Sequence, residues 1–118
     1  MKKAYICSPY RAENSDDLDR NIAYAQDLTR KAIDAGYAPI TPHIYLTQCL
    51  DDRKENEREK GLEVGAELLI LCDVVFVGDR YGISEGMASE IALAKDCGIK
   101  VTALSPEAYT RQQKALRL

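Results

Sequence analysis

The sequence predicts one α/β domain spanning residues 1–118, a three-layer open parallel sheet of four to five strands. Three observations predict it. Short apolar runs alternate with stretches whose apolar residues recur at helical spacing, the order that right-handed βαβ crossovers produce. The run Asp73-Val74-Val75-Phe76-Val77-Gly78 is apolar at successive positions, as a strand covered on both faces must be. A length of 118 residues closes one core, and no linker, repeat or low-complexity segment divides it.

Ala4-Tyr5-Ile6-Cys7 reads as a buried strand ended by Ser8-Pro9-Tyr10. Asn14 and Ser15 are candidate N-caps, followed by Asp16, Asp17 and Asp19, which suit the positive end of a helix. Ile22, Ala25, Leu28, Thr29, Ala32 and Ile33 then mark a helix that Gly36 closes. Tyr37 to Thr41 is a second strand, with Pro42 as its stop and Pro42 to Thr47 as a loop. The stretch from Asp51 to Lys60 is almost wholly charged. It fits a solvated loop and helix start, or a flap from which Arg53 or Arg58 reaches an anion. Leu62, Ala66, Leu69 and Ile70 make an amphipathic helix, and the strand at residues 73–78 follows. A helix runs from Ser84 to Cys97 with Gly98 as its stop, and residues 99–104 form the last strand. Ser105-Pro106-Glu107 opens a final helix, with Ser105 as cap and Pro106 in the first turn. This is a flavodoxin- or Rossmann-like arrangement. Ligands of such sheets lie at the carboxyl ends of the strands, near a switch in strand order. The loops from Ser8 to Asn14 and from Gly78 to Ser84, which come after the most apolar strands, are therefore the favoured positions.

Charge and composition narrow the partners. With 19 acids against 16 bases the formal charge is −3, which favours neither nucleic acid nor an anionic membrane. An acidic small molecule would have to be held by local donors. Cys7, Cys49, Cys72 and Cys97 form no close pairs, and the chain has one histidine, His43, so no structural metal is expected. Cys7 and Cys72 lie in apolar runs and read as small buried residues. Reduced thiols, a short amino-terminal apolar run without signal-peptide form, and the lack of any stretch near the roughly 18 apolar residues of a membrane span point to a soluble cytoplasmic protein.

The candidate chemistry lies in Ser84-Glu85-Gly86-Met87-Ala88-Ser89-Glu90. Ser84 is a natural N-cap, and the first-turn amides behind it are donors at the positive end of a helix, where phosphate binds readily. Gly86 has no side chain to obstruct that approach. Glu90, one turn on, lies on the same side and leans back toward the amino terminus. Met87, Ile91 and Ala94 carry the core face, which puts Glu90 at the flank of the buried stripe, near the sheet edge. The same residues also fit a plain capped helix with surface acids. Periodicity alone supports a nucleotide-sized pocket and no more.

Together, Tyr5-Ile6-Cys7-Ser8-Pro9-Tyr10, Cys72-Asp73-Val74-Val75 and Ser84-x-Gly86-x-x-x-Glu90-Ile91-x-x-Ala94-x-x-x-Gly98 resemble the nucleoside 2-deoxyribosyltransferase superfamily, over Tyr5 to Val101. The resemblance is closest to small bacterial and phage relatives. It implies N-glycosidic chemistry with Glu90 as the nucleophile, which forms a glycosyl-enzyme that water or a second base resolves. It implies that Ser8, Tyr10 and Arg11 line the sugar and base pocket, and that Ser84 with the Gly86 and Met87 amides cradles a 5′-phosphate. Transferases acting on free nucleosides carry an aspartate at the position of Ser84, whereas the nucleotide-hydrolysing branch carries a serine, and a hydroxyl can donate to a phosphate that a carboxylate would repel. The family often places a catalytic aspartate where this sequence has Gly65. Asp79, Glu67 and Glu63 are the remaining candidate general acids, none of them in register. Neither metal nor cofactor is implied, and a homodimer or higher homo-oligomer is.

Three functions stand as alternatives. The first is cleavage or transfer at the N-glycosidic bond of a nucleoside 5′-monophosphate. The second is non-catalytic binding of a nucleotide on the same fold. The third is a protein-interaction domain without a small ligand, in which Ser84, Gly86 and Glu90 tolerate substitution.

Overall fold

The computed structural model describes residues 1–104. Four strands, β1 (Lys3–Cys7), β2 (Ala38–Ile40), β3 (Val74–Val77) and β4 (Lys100–Ala103), form one sheet in the order β2-β1-β3-β4. Every pairing is parallel, with Tyr5 opposite Ile40 on one side and opposite Val75 on the other. Four helices connect them: α1 (Ser15–Asp34), α2 (Pro42–Cys49), α3 (Glu55–Leu69) and α4 (Glu85–Asp96).

Alternation along β1 and β3 divides the core in two. Ala4, Ile6, Val74 and Phe76 face one way and pack with Tyr24, Leu28 and Ala32 of α1. Tyr5, Cys7, Val75 and Val77 face the other way and pack with Leu69, Met87 and Ala94 from α3 and α4. Burial on both faces explains why these strands read as continuous apolar runs.

The expected caps are present. The Asn14 side chain accepts from the Asp17 amide at 2.8 Å, and Ser84 Oγ accepts from the Met87 amide at 3.2 Å. Gly36 and Gly98 close α1 and α4 with φ of 91° and 71°, the left-handed conformation that favours glycine.

Three expectations are corrected. Pro42 does not lead into a loop but opens α2, where its fixed φ and missing amide fit a first helical position. Ile33 is exposed, while Asn21 and Tyr24 are buried in α1. In α3 the buried residues are Gly61, Gly65 and Leu69, whereas Leu62 and Ile70 are exposed. The reason is close approach: two tyrosine hydroxyls lie against the glycines of α3, so the helix turns its smallest residues inward. The helix expected from Ser105 lies outside the described residues.

Candidate functional site

The crossover after β1 passes through α1 on one face, and the crossover after β3 passes through α4 on the other. The chain therefore changes sides between β1 and β3, and a crevice opens at their carboxyl ends. Both loops favoured from the sequence border it.

Glu90 is the centre of the site. Its carboxylate accepts a hydrogen bond from the Tyr5 hydroxyl through Oε2, and Oε1 lies 3.5 Å from Nε2 of His43. Glu90 thus reaches over the central strand β1 instead of standing by the sheet edge, because α4 crosses β1 as well as β4. The Tyr5 side chain is wholly buried, and burial first, then the Glu90 charge, pushes its hydroxyl far above the usual tyrosine range. Tyr5 is accordingly a hydrogen-bond donor fixed on the carboxylate. On the other ring nitrogen of His43, Nδ1 lies 3.5 Å from Oγ of the buried Ser8.

Glu90, His43, Ser8, Tyr10, Gly65 and Gly86 line a cavity of about 20 Å³, room for one small molecule the size of water. Glu90 also borders a wider hollow of about 240 Å³, which it shares with Gly86, Glu85, Arg58 and Leu62. A third hollow of about 120 Å³ adjoins these and is lined by Tyr10, Arg11, Arg58, Ser84, Glu85 and Gly86. A larger hollow of about 570 Å³, between the start of α1 and the end of α2, touches none of the Glu90 partners.

The fold has solved counterparts. One is the 2-deoxyribosyltransferase of the psychrotolerant bacterium Bacillus psychrosaccharolyticus, described as a biocatalyst for nucleoside synthesis, with a TM-score of 0.65 and 21% identity. That match covers 88% of this chain and 72% of the other. No curated protein matches the chain. Residues 2–104 match the model of a family described as a domain of unknown function, DUF7768. The chain belongs to this family. This DUF7768 member has the nucleoside 2-deoxyribosyltransferase-like fold, as the resemblance implied.

Within that fold, the expected site residues separate into groups. Glu90, Ser8, Tyr10 and Gly86 meet at the inner cavity, and Ser84 and Arg11 at the adjoining hollow. The Met87 amide is already engaged by Ser84 Oγ, and its side chain is in the core. The first-turn donors left for a ligand are the Glu85 and Gly86 amides. Arg58 faces the hollow beside Ser84, while Arg53 is locked to Asp51 through two hydrogen bonds of 3.0 and 3.2 Å. Glu63, Glu67 and Asp79 are exposed and none lines the cavity. Among the described residues, no group of three His, Cys, Asp or Glu is placed to hold a metal, and no helix is long and apolar enough to cross a membrane.

Two residues of the site escape a reading of the sequence. Tyr5 is visible there as part of an apolar strand, but its partner lies 85 positions away. His43 stands in what reads as a loop. Recognising Pro42 as a helix opener brings His43 onto the rim of the crevice.

Proposed function

We propose that the chain cleaves or transfers at the N-glycosidic bond of a nucleoside 5′-monophosphate, with Glu90 as nucleophile. The observation that carries this reading is the setting of Glu90: a largely buried carboxylate, hydrogen-bonded by Tyr5, that faces a hollow bordered by Arg58 and the first turn of α4. Attack on an anomeric carbon requires a carboxylate oriented toward the sugar, and Tyr5 fixes that orientation. The 5′-phosphate would lie at the amino terminus of α4. There the Glu85 and Gly86 amides, the Ser84 hydroxyl and the guanidinium groups of Arg11 and Arg58 supply donors. Among the described residues neither arginine carries an ion pair, so both are free to take an anion. Tyr10, against the His43 ring at 5.1 Å, offers an aromatic edge to sugar or base.

The test is incubation of the protein with a panel of ribo- and deoxyribonucleoside 5′-monophosphates, following free base by chromatography, beside Glu90→Ala. Release of base that disappears in the variant supports the reading. Absence of release at high protein concentration overturns it.

A second reading, binding without turnover, is favoured by one observation. Among the described residues Glu90 is the one carboxylate lining the inner cavity, and Gly65 stands where the resembled family has an aspartate. A nucleotide that raises the melting temperature without losing its base would establish this reading. We propose that copies of the chain associate, with the exposed apolar residues Val64, Ile70 and Leu71 on and beyond α3 available to such a contact. Four free thiols suit a reducing compartment such as the cytoplasm.

A further inference from the structure

His43, the one histidine of the chain, is almost fully buried and lines the cavity beside Glu90. Its ring is held by the edges of Tyr10, at 5.1 Å, and Tyr5, at 6.3 Å. Each ring nitrogen faces an oxygen at 3.5 Å, Nδ1 that of Ser8 and Nε2 that of Glu90. A carboxylate only accepts, so a proton on Nε2 points at Glu90, at the wall of the cavity that both residues line. A hydroxyl both donates and accepts, so Nδ1 is satisfied with or without a proton. Nδ1 can therefore keep its proton, donated to Ser8, while Nε2 hands a proton into the cavity and takes one back without the ring turning. None of the acids suggested by the sequence reaches this cavity.

We propose that His43 is the proton carrier of the site, protonating the base that leaves and deprotonating the acceptor that arrives. This assignment rests on the glycosidic reading above. In the first half-reaction a Glu90 oxygen bonds to the anomeric carbon and the carbon–nitrogen bond breaks. Its electron pair goes to the base nitrogen, which takes the Nε2 proton of the imidazolium. In the second, water gives a proton to Nε2 and its oxygen bonds to the anomeric carbon. The ester bond to Glu90 then breaks and returns its pair to the carboxylate. Nucleotide and water become base and sugar phosphate, with no further reactant. Before the first step the cavity holds a carboxylate and an imidazolium, and after it a neutral ester and a neutral imidazole. The buried site carries no net charge in either state, which spares it an unpaired buried ion.

The experiment compares kcat/KM for base release from an ordinary purine nucleoside 5′-monophosphate and from its N7-methylated counterpart. The methylated base already carries a positive charge and departs without a proton. Wild type, His43→Ala, His43→Gln and Glu90→Gln are measured, each with a thermal melt. The expected result is a loss of about 10²–10⁴-fold for both His43 variants on the ordinary nucleotide, the usual worth of a general acid, with most of the rate kept on the methylated one. Glu90→Gln loses both. Equal losses of the His43 variants on the two substrates, or no loss on either, overturn the assignment while the glycosidic reading stands. A wild type that releases base from neither substrate overturns both.

Discussion

Gly65 of α3 lies against the hydrogen bond between Tyr5 and Glu90: a Cβ built there stands 3.1 Å from the Tyr5 hydroxyl and 3.6 Å from Glu90 Oε2. The glycine makes room for the tyrosine, and the tyrosine holds the carboxylate. Tyr5 cannot retreat, because its ring is wholly buried between the sheet and α3.

Gly65→Asp therefore sets a second carboxylate against Glu90. The variant is expected to lose about 1–3 kcal/mol or more of stability, from crowding and from burying an unpaired charge. Protonation of the introduced aspartate removes the like-charge repulsion, so the deficit is largest at neutral pH and shrinks as pH falls. Melts of both proteins across acid pH check this, and a deficit independent of pH would leave crowding as the whole effect.

Tyr5→Phe removes the donor and keeps the ring. Glu90 then loses the hydrogen bond from Tyr5, at an expected cost of about 1–3 kcal/mol for the unpaired acceptor. Denaturant unfolding measures that loss. Base release should fall more in kcat than KM rises, because orientation of the carboxylate and not binding has been removed.

Arg58 and Arg11 are expected to discriminate phosphorylated from unphosphorylated ligands. Arg58→Ala should weaken binding of nucleoside 5′-monophosphates by about 1.5–3 kcal/mol, the worth of a charge-assisted hydrogen bond. It should leave nucleosides nearly unaffected. Calorimetric titration of both ligand types decides, and equal weakening of the two would remove Arg58 from the phosphate site.

Two glycines give opposite outcomes on substitution by alanine. A Cβ at Gly78 would stand 2.3 Å from Leu28 Cδ1 and 2.8 Å from the Tyr24 hydroxyl, a collision at the end of β3. Gly78→Ala is expected to cost about 1–3 kcal/mol or more. A Cβ at Gly86 meets nothing within 4 Å, so Gly86→Ala should be neutral or gain up to about 1 kcal/mol of helix stability while obstructing the nucleotide. Thermal melts paired with ligand titration separate the two.

The thiols predict both a labelling pattern and a pH limit. Burial and then the Asp73 charge push Cys72 up to about 11, and burial and then the Glu90 charge push Cys7 above the ordinary thiol range. Cys49 and Cys97 are exposed. Alkylation of the native protein near pH 8 should modify Cys49 and Cys97 and spare the other two. Because the folded state holds the Cys72 proton more tightly, its contribution to stability is complete below about pH 9 and is lost as pH rises toward 11. Denaturant melts at stepped alkaline pH check the sign.

Much of this architecture is legible in the residues. The helix α4, its Ser84 cap, its Gly98 stop and the room that Gly86 leaves before Glu90 are local matters, set by spacings of three to six residues and by backbone conformations that particular residues favour. The two-sided burial of β3 is equally readable, because an apolar run records the environment on both faces of a strand. Pro42 is ambiguous by nature, since proline both interrupts strands and opens helices, and the tertiary packing around it makes the choice. The same holds for α3, whose apolar residues indicate a face that its glycines overrule. The company of Glu90 is decided by the tertiary structure alone: Tyr5 comes from β1, His43 from α2 and Gly65 from α3. These contacts join positions tens of residues apart. No periodicity encodes them, because they exist only once the parallel sheet has brought the carboxyl ends of its strands to one edge.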